Sequence, residues 1–355
     1  MTEQRSRRAF LGGLGAVATA GLAGCTSGTD GNGDRITTTT SQGSVPGDGN
    51  MLIFHAGSLA GPFSAAEPSF EERTGIDVTR EPKGSVASTK KITQQGRKAD
   101  VLGVSDFRLL RGNDGSGDVD LLPEYGDWYG IFATNAMSIQ YREDSPGATD
   151  IGEDNWWEVL ARDDVTIGHA DPAVDPGGYR AVMSQQLGKI PFDGERLYDD
   201  AIYQKLRKNS RVPTGTETKL EGQLKSGKID YAFYYQSISS TTDLPWIDLQ
   251  PEVDLSKATT EYANHYANAV VETDAGTFTG APIAYGLTVP SVAESPDLGA
   301  RWVEYFATEP GKNVLKNKGL RPVSPLVVPA VAKDAVPDRV MAHATAKENL
   351  GPLEL

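Results

Sequence analysis

Met51-Leu52-Ile53-Phe54-His55-Ala56-Gly57-Ser58-Leu59 sets a short apolar run directly before a Gly-Ser turn. The run has the length of a buried strand, and the stretch after the turn, Leu59 to Arg73, is amphipathic. Gly75-Ile76-Asp77-Val78-Thr79 reads as the next strand. Gly84-Ser85 then opens a second helical stretch that ends near Gly96, before a third strand from Ala99 to Val104. Strand, turn and helix repeated in this order predict an α/β fold with mostly parallel sheets and helices on both faces. Helix starts then line the carboxyl edge of the strands, where ligands bind in open α/β sheets.

Two later extended runs shape the rest. Ile131 to Arg142 lacks a turn residue, and Ala281 to Val289 is a second apolar run far down the chain. Between them lie helical segments (Trp156 to Arg162, Gly178 to Leu187, Arg196 to Lys208) and strands (Val165 to His169, Ile229 to Tyr235). A body of this length exceeds what one core usually serves. The two runs therefore read as crossovers between lobes: 51–133 with 285–345 form lobe one, and 134–284 form lobe two. A helix from Asp297 to Asn317 is expected to pack on lobe one. Two lobes joined by two strands make a clamshell with a cleft.

Ahead of this body, Ser6-Arg7-Arg8-Ala9-Phe10-Leu11 is a twin-arginine pattern, and the Gly/Ala/Leu/Val run behind it is too short and glycine-rich to span a membrane. Leu22-Ala23-Gly24-Cys25 looks like a lipobox, in which Cys25 takes a lipid and becomes the new N-terminus. Residues 1–25 are thus an expected signal peptide and 26–50, which contain almost nothing apolar, a disordered tether. Such a leash would span roughly 25–30 Å, anchoring the body at the extracellular face of the cell membrane. Cys25 is the only cysteine, which rules out an intrachain disulfide or a Cys-cluster metal site. With 48 acidic against 34 basic residues and a formal charge of −14, the chain lacks the basic surplus that nucleic acid requires. The same acidity suits a protein kept soluble in concentrated salt.

Several stretches could carry chemistry, and each has a plain structural reading beside the functional one. Ser58 and Ser85 are either simple N-caps or, together with Gly57 and the free N–H groups there, the donors of a shared anion pocket. In Asp171-Pro172-Ala173-Val174-Asp175-Pro176-Gly177-Gly178-Tyr179-Arg180, Asp175 caps a helix that starts at Pro176. Alternatively, the Asp175 carboxylate and the Gly177 N–H face a ligand. Glu217 either closes a capping box with Thr214 or turns inward, because it shares the face of Leu220. Tyr235 ends a strand whose Ile229, Tyr231 and Phe233 share its face, with Tyr234 opposite. It is a core residue or a phenol pointed into the cleft. No nucleophile elbow, phosphate loop or zinc-protease helix is present, and the four histidines are scattered. Nothing demands an enzyme.

His55-Ala56-Gly57-Ser58-Leu59, Gly84-Ser85, Gly96-Arg97-Lys98-Ala99-Asp100-Val101-Leu102, Asp175-Pro176-x-Gly178-Tyr179-Arg180, Gly227-Lys228-Ile229-Asp230-Tyr231-x-Phe233-x-Tyr235-x-Ser237 and Pro282-Ile283-x-Tyr285-Gly286 occur in this order. Together they resemble the archaeal molybdate/tungstate-binding proteins of ABC importers, here in a lipid-anchored, haloarchaeal form. The resemblance implies a type II periplasmic-binding-protein-like clamshell, working as a monomer, that carries an oxyanion to an ABC permease in the membrane and needs no cofactor. It further implies that Ser58 and Ser85 donate hydrogen bonds to the oxyanion, with Gly177 N–H and the Tyr235 phenol. Asp175 and Glu217 would ligate the metal itself, expanding it to a roughly octahedral centre. Three other readings stay open: a ferric receptor using Tyr234 and Tyr235, a sulfate or phosphate receptor, and an exported serine hydrolase acting through Ser58.

Overall fold

The structure, a computed structural model, describes residues 49–111, 121, 123–212, 215–348 and 350. The signal peptide, Cys25 and the tether as far as residue 48 lie outside these. In chain order the strands are β1 (Gly49–Ala56), β2 (Ile76–Lys83), β3 (Val101–Val104), β4 (Gly130–Thr134), β5 (Met137–Tyr141), β6 (Ile167–Gly168) and β7 (Ser210–Arg211). They continue with β8 (Tyr231–Tyr235), β9 (Trp246–Asp248), β10 (Val270–Thr273), β11 (Gly276–Thr279), β12 (Ala284–Thr288), β13 (Arg321–Pro329) and β14 (Ala344–Lys347). Gly49 and Asn50, expected in the tether, instead begin β1, because they pair with Ile76 and Asp77.

Among the described residues a seven-stranded sheet runs β14-β13-β4-β12-β3-β1-β2, a five-stranded sheet runs β7-β6-β8-β5-β9, and β10-β11 form a separate hairpin. The α/β clamshell expected from the sequence is the fold observed, but its sheets are mixed rather than mostly parallel. β1 is parallel to β2 and β3, and β6 to β7 and β8. By contrast, β12 is antiparallel to β3 and β4, and β5 is antiparallel to β8 and β9. The cause lies in the crossovers. Strands that carry the chain from one sheet to the other enter without a helix-bearing βαβ unit, so nothing forces them parallel.

The first crossover is abrupt. β4 belongs to the larger sheet and β5 to the smaller, with only Asn135 and Ala136 between them. The chain returns through β12, which inserts between β3 and β4. The helix expected over Asp297–Asn317 is two helices, Pro296–Ala307 and Glu309–Asn317. Thr308 between them is extended (φ −97, ψ 166), and Pro310, which has no N–H to donate, sits in the first turn of the second helix.

Helix α1 (Ala60–Thr74) lies on the larger sheet against the helix Pro296–Ala307. Trp302, fully buried, meets the rings of Phe63 at 5.3 Å and Phe70 at 4.9 Å, both edge to face. Helix α2 (Ser85–Thr93) follows β2 on the same sheet. On the smaller sheet Trp156 packs against Tyr198 and Phe233. These two cores fix the positions of the turns that leave the strands at their carboxyl ends. Replacing Trp302 with Ala should cost about 3–5 kcal/mol of stability, read as a lower urea midpoint. A midpoint within error of the wild type would mean the aromatic cluster does not hold the larger sheet.

Candidate functional site

Turns from both sheets converge on one buried cluster. After β1, Gly57–Leu59 make a 3₁₀ turn into α1. After β2, Gly84 precedes α2, and Ser105-Asp106 follow β3. From the smaller sheet come the start of the helix Pro176–Leu187, the 3₁₀ turn Glu217–Lys219 and the end of β8. Gly84 lies so close to the Val174 carbonyl that a β-carbon there would sit 2.1 Å from its oxygen. Ala87 N–H also donates to that carbonyl at 3.3 Å. Only glycine lets the two backbones approach this closely.

Asp175 caps the helix Pro176–Leu187 in the expected way, accepting Gly177 N–H at 2.9 Å through Oδ1. Its other oxygen accepts the Glu217 N–H at 3.3 Å. The cap is therefore also a link to the Glu217 turn, and the structural and functional readings of Asp175 are not exclusive. A β-carbon on Gly177 would lie 2.7 Å from Glu217 Oε2, 3.3 Å from Asp175 Oδ1 and 3.5 Å from the Tyr235 ring. One on Gly57 would lie 3.1 Å from Glu217 Oε1. Both carboxylates thus face one small space, bounded by two glycines.

The capping box with Thr214 lies outside the described residues; among those described, the turn is entered at Thr216, which makes no side-chain cap. The Glu217 side chain turns inward with Leu220 and is 2 % exposed. Neither of its oxygens has a hydrogen-bond partner among the described residues. Burial first, and the Asp175 charge second, push its carboxyl well above the usual range, with the Ser58 hydroxyl and N–H pulling weakly the other way. Burial likewise raises the Asp175 carboxyl to about 6, against the Gly177 and Glu217 N–H groups. Two desolvated like charges set side by side are costly. Among the described residues no third His, Cys, Asp or Glu joins them to make a metal-binding group.

The donors around this space are oriented by residues that the sequence pattern did not single out. Asn135, at the crossover, donates from its amide nitrogen to Tyr285 Oη at 3.0 Å, and Tyr285 donates to Ser58 Oγ at 3.0 Å. An amide NH₂ only donates, so the Tyr285 proton must point to Ser58, and the Ser58 proton is left for another acceptor. Arg180 donates to Tyr235 Oη at 2.7 Å, so the phenol proton points elsewhere, and it is given to Ser105 Oγ in a long bond of 3.4 Å. Ser85 Oγ accepts Ser105 N–H at 3.0 Å and lies 3.0 Å from Ser105 Oγ. Gly57, Ser58, Ser85, Asp175, Gly177, Glu217 and Tyr235 are therefore brought together by separate hydrogen-bond chains and by the close approaches at the two glycines. A groove of ≈ 400 Å³ lined by Ser58, Thr218, Tyr234, Ser237 and Lys318 borders it.

The rival chemistries find less here. His55 turns its Nδ1 to the Ala56 carbonyl at 2.7 Å and packs on Phe63, not on Ser58. Tyr234 donates to the Glu217 carbonyl at 2.6 Å, and burial raises both adjacent phenols above their ordinary value. A phenolate pair for ferric ion is therefore not prepared.

Residues 51–321 match the family described as bacterial extracellular solute-binding protein. An uncharacterized solute-binding protein of Methanoculleus marisnigri is 35% identical, over 93% of this chain and 96% of its own length. The molybdate/tungstate-binding protein WtpA of Pyrococcus abyssi is 31% identical, over 84% of this chain and 90% of its own. Two solved structures share the fold at 15% identity. The periplasmic molybdate-binding protein of Azotobacter vinelandii has a TM-score of 0.51, covering 76% of this chain and 98% of its own. The sulfate-binding protein SubI of Mycobacterium tuberculosis has a TM-score of 0.52, covering 82% and 92%. Their ligands differ, so this likeness speaks for fold alone.

The carboxylate pair has a consequence for stability without ligand. Both groups titrate higher in the folded chain than in the unfolded one, so their contribution is whole below the unfolded values of about 4 and is lost as pH rises through the folded values, about 6 for Asp175 and well above the usual carboxylate range for Glu217. Glu217→Gln should thus raise the ligand-free melting temperature at pH 8, by the equivalent of roughly 1–3 kcal/mol, and leave it little changed at pH 4. A variant no more stable than wild type at pH 8 would mean the pair carries no electrostatic strain.

Proposed function

Because this chain belongs to the bacterial extracellular solute-binding protein family, we propose that it captures molybdate or tungstate outside the cell and delivers the oxyanion to an ABC permease. The observation that carries this reading is the pair of buried carboxylates, Asp175 and Glu217, facing one space with the Glu217 oxygens unpartnered. A dianion beside two carboxylates is repelled by several kcal/mol at protein-like dielectric. Bonding of the carboxylates to the central atom would turn that repulsion into attraction. Mo(VI) and W(VI) are hard centres that accept further oxygen donors, whereas sulfur in sulfate and phosphorus in phosphate do not readily expand in this way. Asp175 and Glu217 would then reject the commoner oxyanions by the same charge that grips the rarer ones.

The remaining groups fit the oxo atoms of such a guest. Ser58 holds a proton not committed by its other hydrogen bond, because Tyr285 already donates to its oxygen, and Tyr235 spends its own only on a long 3.4 Å bond to Ser105 Oγ, which an oxo atom would replace. Ser85 sits at the start of α2 and Gly177 N–H at the start of the helix Pro176–Leu187, where orphan N–H groups and the helix dipole favour negative charge. Metal ligation to Asp175 would compete with the cap it makes to Gly177, releasing that N–H for an oxo atom. Ser58 and Ser85 come from turns of the larger sheet, the other contacts from the smaller, so ligand draws the two together. The relationship to WtpA of Pyrococcus abyssi, whose name states this ligand pair, supports the same reading. Export by the twin-arginine signal and anchoring through Cys25 would hold the receptor at the extracellular face of the membrane, as a monomer within reach of its permease.

Asp175→Ala should weaken tungstate binding at least a hundredfold by calorimetry, the equivalent of about 3 kcal/mol for a lost bond to a charged centre. Residual sulfate binding should hold or improve, since a repelling charge is gone. Equal losses for both anions would contradict direct ligation.

A further inference from the structure

The helix that presents Asp175 is gripped a turn later by a carboxylate of the other sheet. Asp106 follows β3 of the larger sheet and is 2 % exposed. Its Oδ2 accepts Tyr179 Oη at 2.7 Å and lies 3.3 Å from an Arg180 terminal nitrogen. Both partners belong to the helix Pro176–Leu187, which packs on β8 of the smaller sheet. Arg108, beside Asp106, donates to it from Nε at 2.9 Å and Nη2 at 2.7 Å. Its remaining nitrogen reaches the Thr279 carbonyl of β11 at 2.6 Å. Tyr179 in turn stacks on Phe278 of the same hairpin at 4.3 Å and 13°. Arg180 adds a bond from Nη1 to the Ser105 carbonyl at 2.7 Å.

None of these contacts needs a guest. Asp106, Arg108 and Ser105 lie on one side of the cleft and Tyr179, Arg180 and Thr279 on the other, so opening the clamshell must break the bonds from Tyr179 and Arg180 to Asp106, from Arg180 to Ser105 and from Arg108 to Thr279. Charge-assisted bonds are the strong class of hydrogen bond, and removing one partner of a buried pair leaves the other stranded. We propose that Asp106, with Arg108, is a built-in latch: a positioning pair that holds the helix Pro176–Leu187 against the larger sheet and biases the clamshell toward closure before any ligand contact is made. Because Arg180 also donates to Tyr235 and follows Asp175 by little more than one turn, the latch places the cluster as well as shutting it. Its effect on ligand kinetics rests on the oxyanion reading given above; its effect on closure does not.

Tyr179→Phe removes only the hydroxyl and keeps the stack on Phe278. Arg108→Gln cuts the link to Thr279 without touching the Asp175 helix. The test measures the radius of gyration of each ligand-free variant by small-angle scattering, and tungstate association and dissociation by stopped flow. The latch predicts a larger radius for both variants, and dissociation faster by about tenfold with association little altered. Wild-type radii in both variants would overturn it, as would a slowed association with unchanged dissociation. Should the wild type bind no tungstate at all, the oxyanion reading fails while the scattering comparison still decides the latch.

Discussion

Two carboxylates that would rather be in water, held instead against one another in a closed space, set the terms for this molecule. Asp175 is tied by two backbone N–H groups, one on its own helix and one on the Glu217 turn. Glu217 has no bond of that quality, and the Ser58 hydroxyl and N–H offset its burial only in part. An arrangement this unfavourable persists only because the surrounding fold overdetermines it. The glycines at 57, 84 and 177 remove the side chains that would keep the turns apart, and the crossover at Asn135-Ala136 brings the two sheets within one residue pair of each other. The cost in stability is the familiar companion of a site shaped for something else to complete it.

The donors show a second layer of the same logic. Asn135, whose amide oxygen accepts Ala136 and Ser237 N–H, is fixed in orientation, and its nitrogen then dictates the Tyr285 and Ser58 protons in sequence. Arg180 plays that part for Tyr235 while being held by Ser105 and Asp106. Each group facing the central space has its hydrogen-bonding sense decided by a residue behind it. Preorganised donors of this kind lose little on meeting an anion, because their orientation is already fixed.

Much of this was readable before any coordinates. The Gly-Ser turns after the first two strands, the Asp175-Pro176 helix start and the inward face of Glu217 were each visible from local spacing; that Asp175 and Glu217 meet the Gly-Ser turns was implied only by the family resemblance. What was not visible has a common physical cause. The bonds by which Ser105 and Asp106 reach the helix Pro176–Leu187, and Asn135 and Tyr285 reach Ser58, join residues 73 to 227 positions apart, and no periodicity encodes a partner at that distance. Tyr285 and Arg180 stood inside quoted motifs, yet nothing local separates an orienting phenol or guanidinium from a core one. The sheets came out mixed rather than mostly parallel because strand direction at a crossover depends on how the second sheet is joined, not on the strand's own residues.

The central claim is that Asp175 and Glu217 bond to the hexavalent atom rather than merely lying near it. X-ray absorption at the tungsten edge, on the tungstate-loaded protein, reads this directly. The account predicts a shell of six oxygens, four short and two longer, that falls to fewer in Glu217→Gln. A spectrum of four equal oxygens, unchanged from free tungstate, would contradict it.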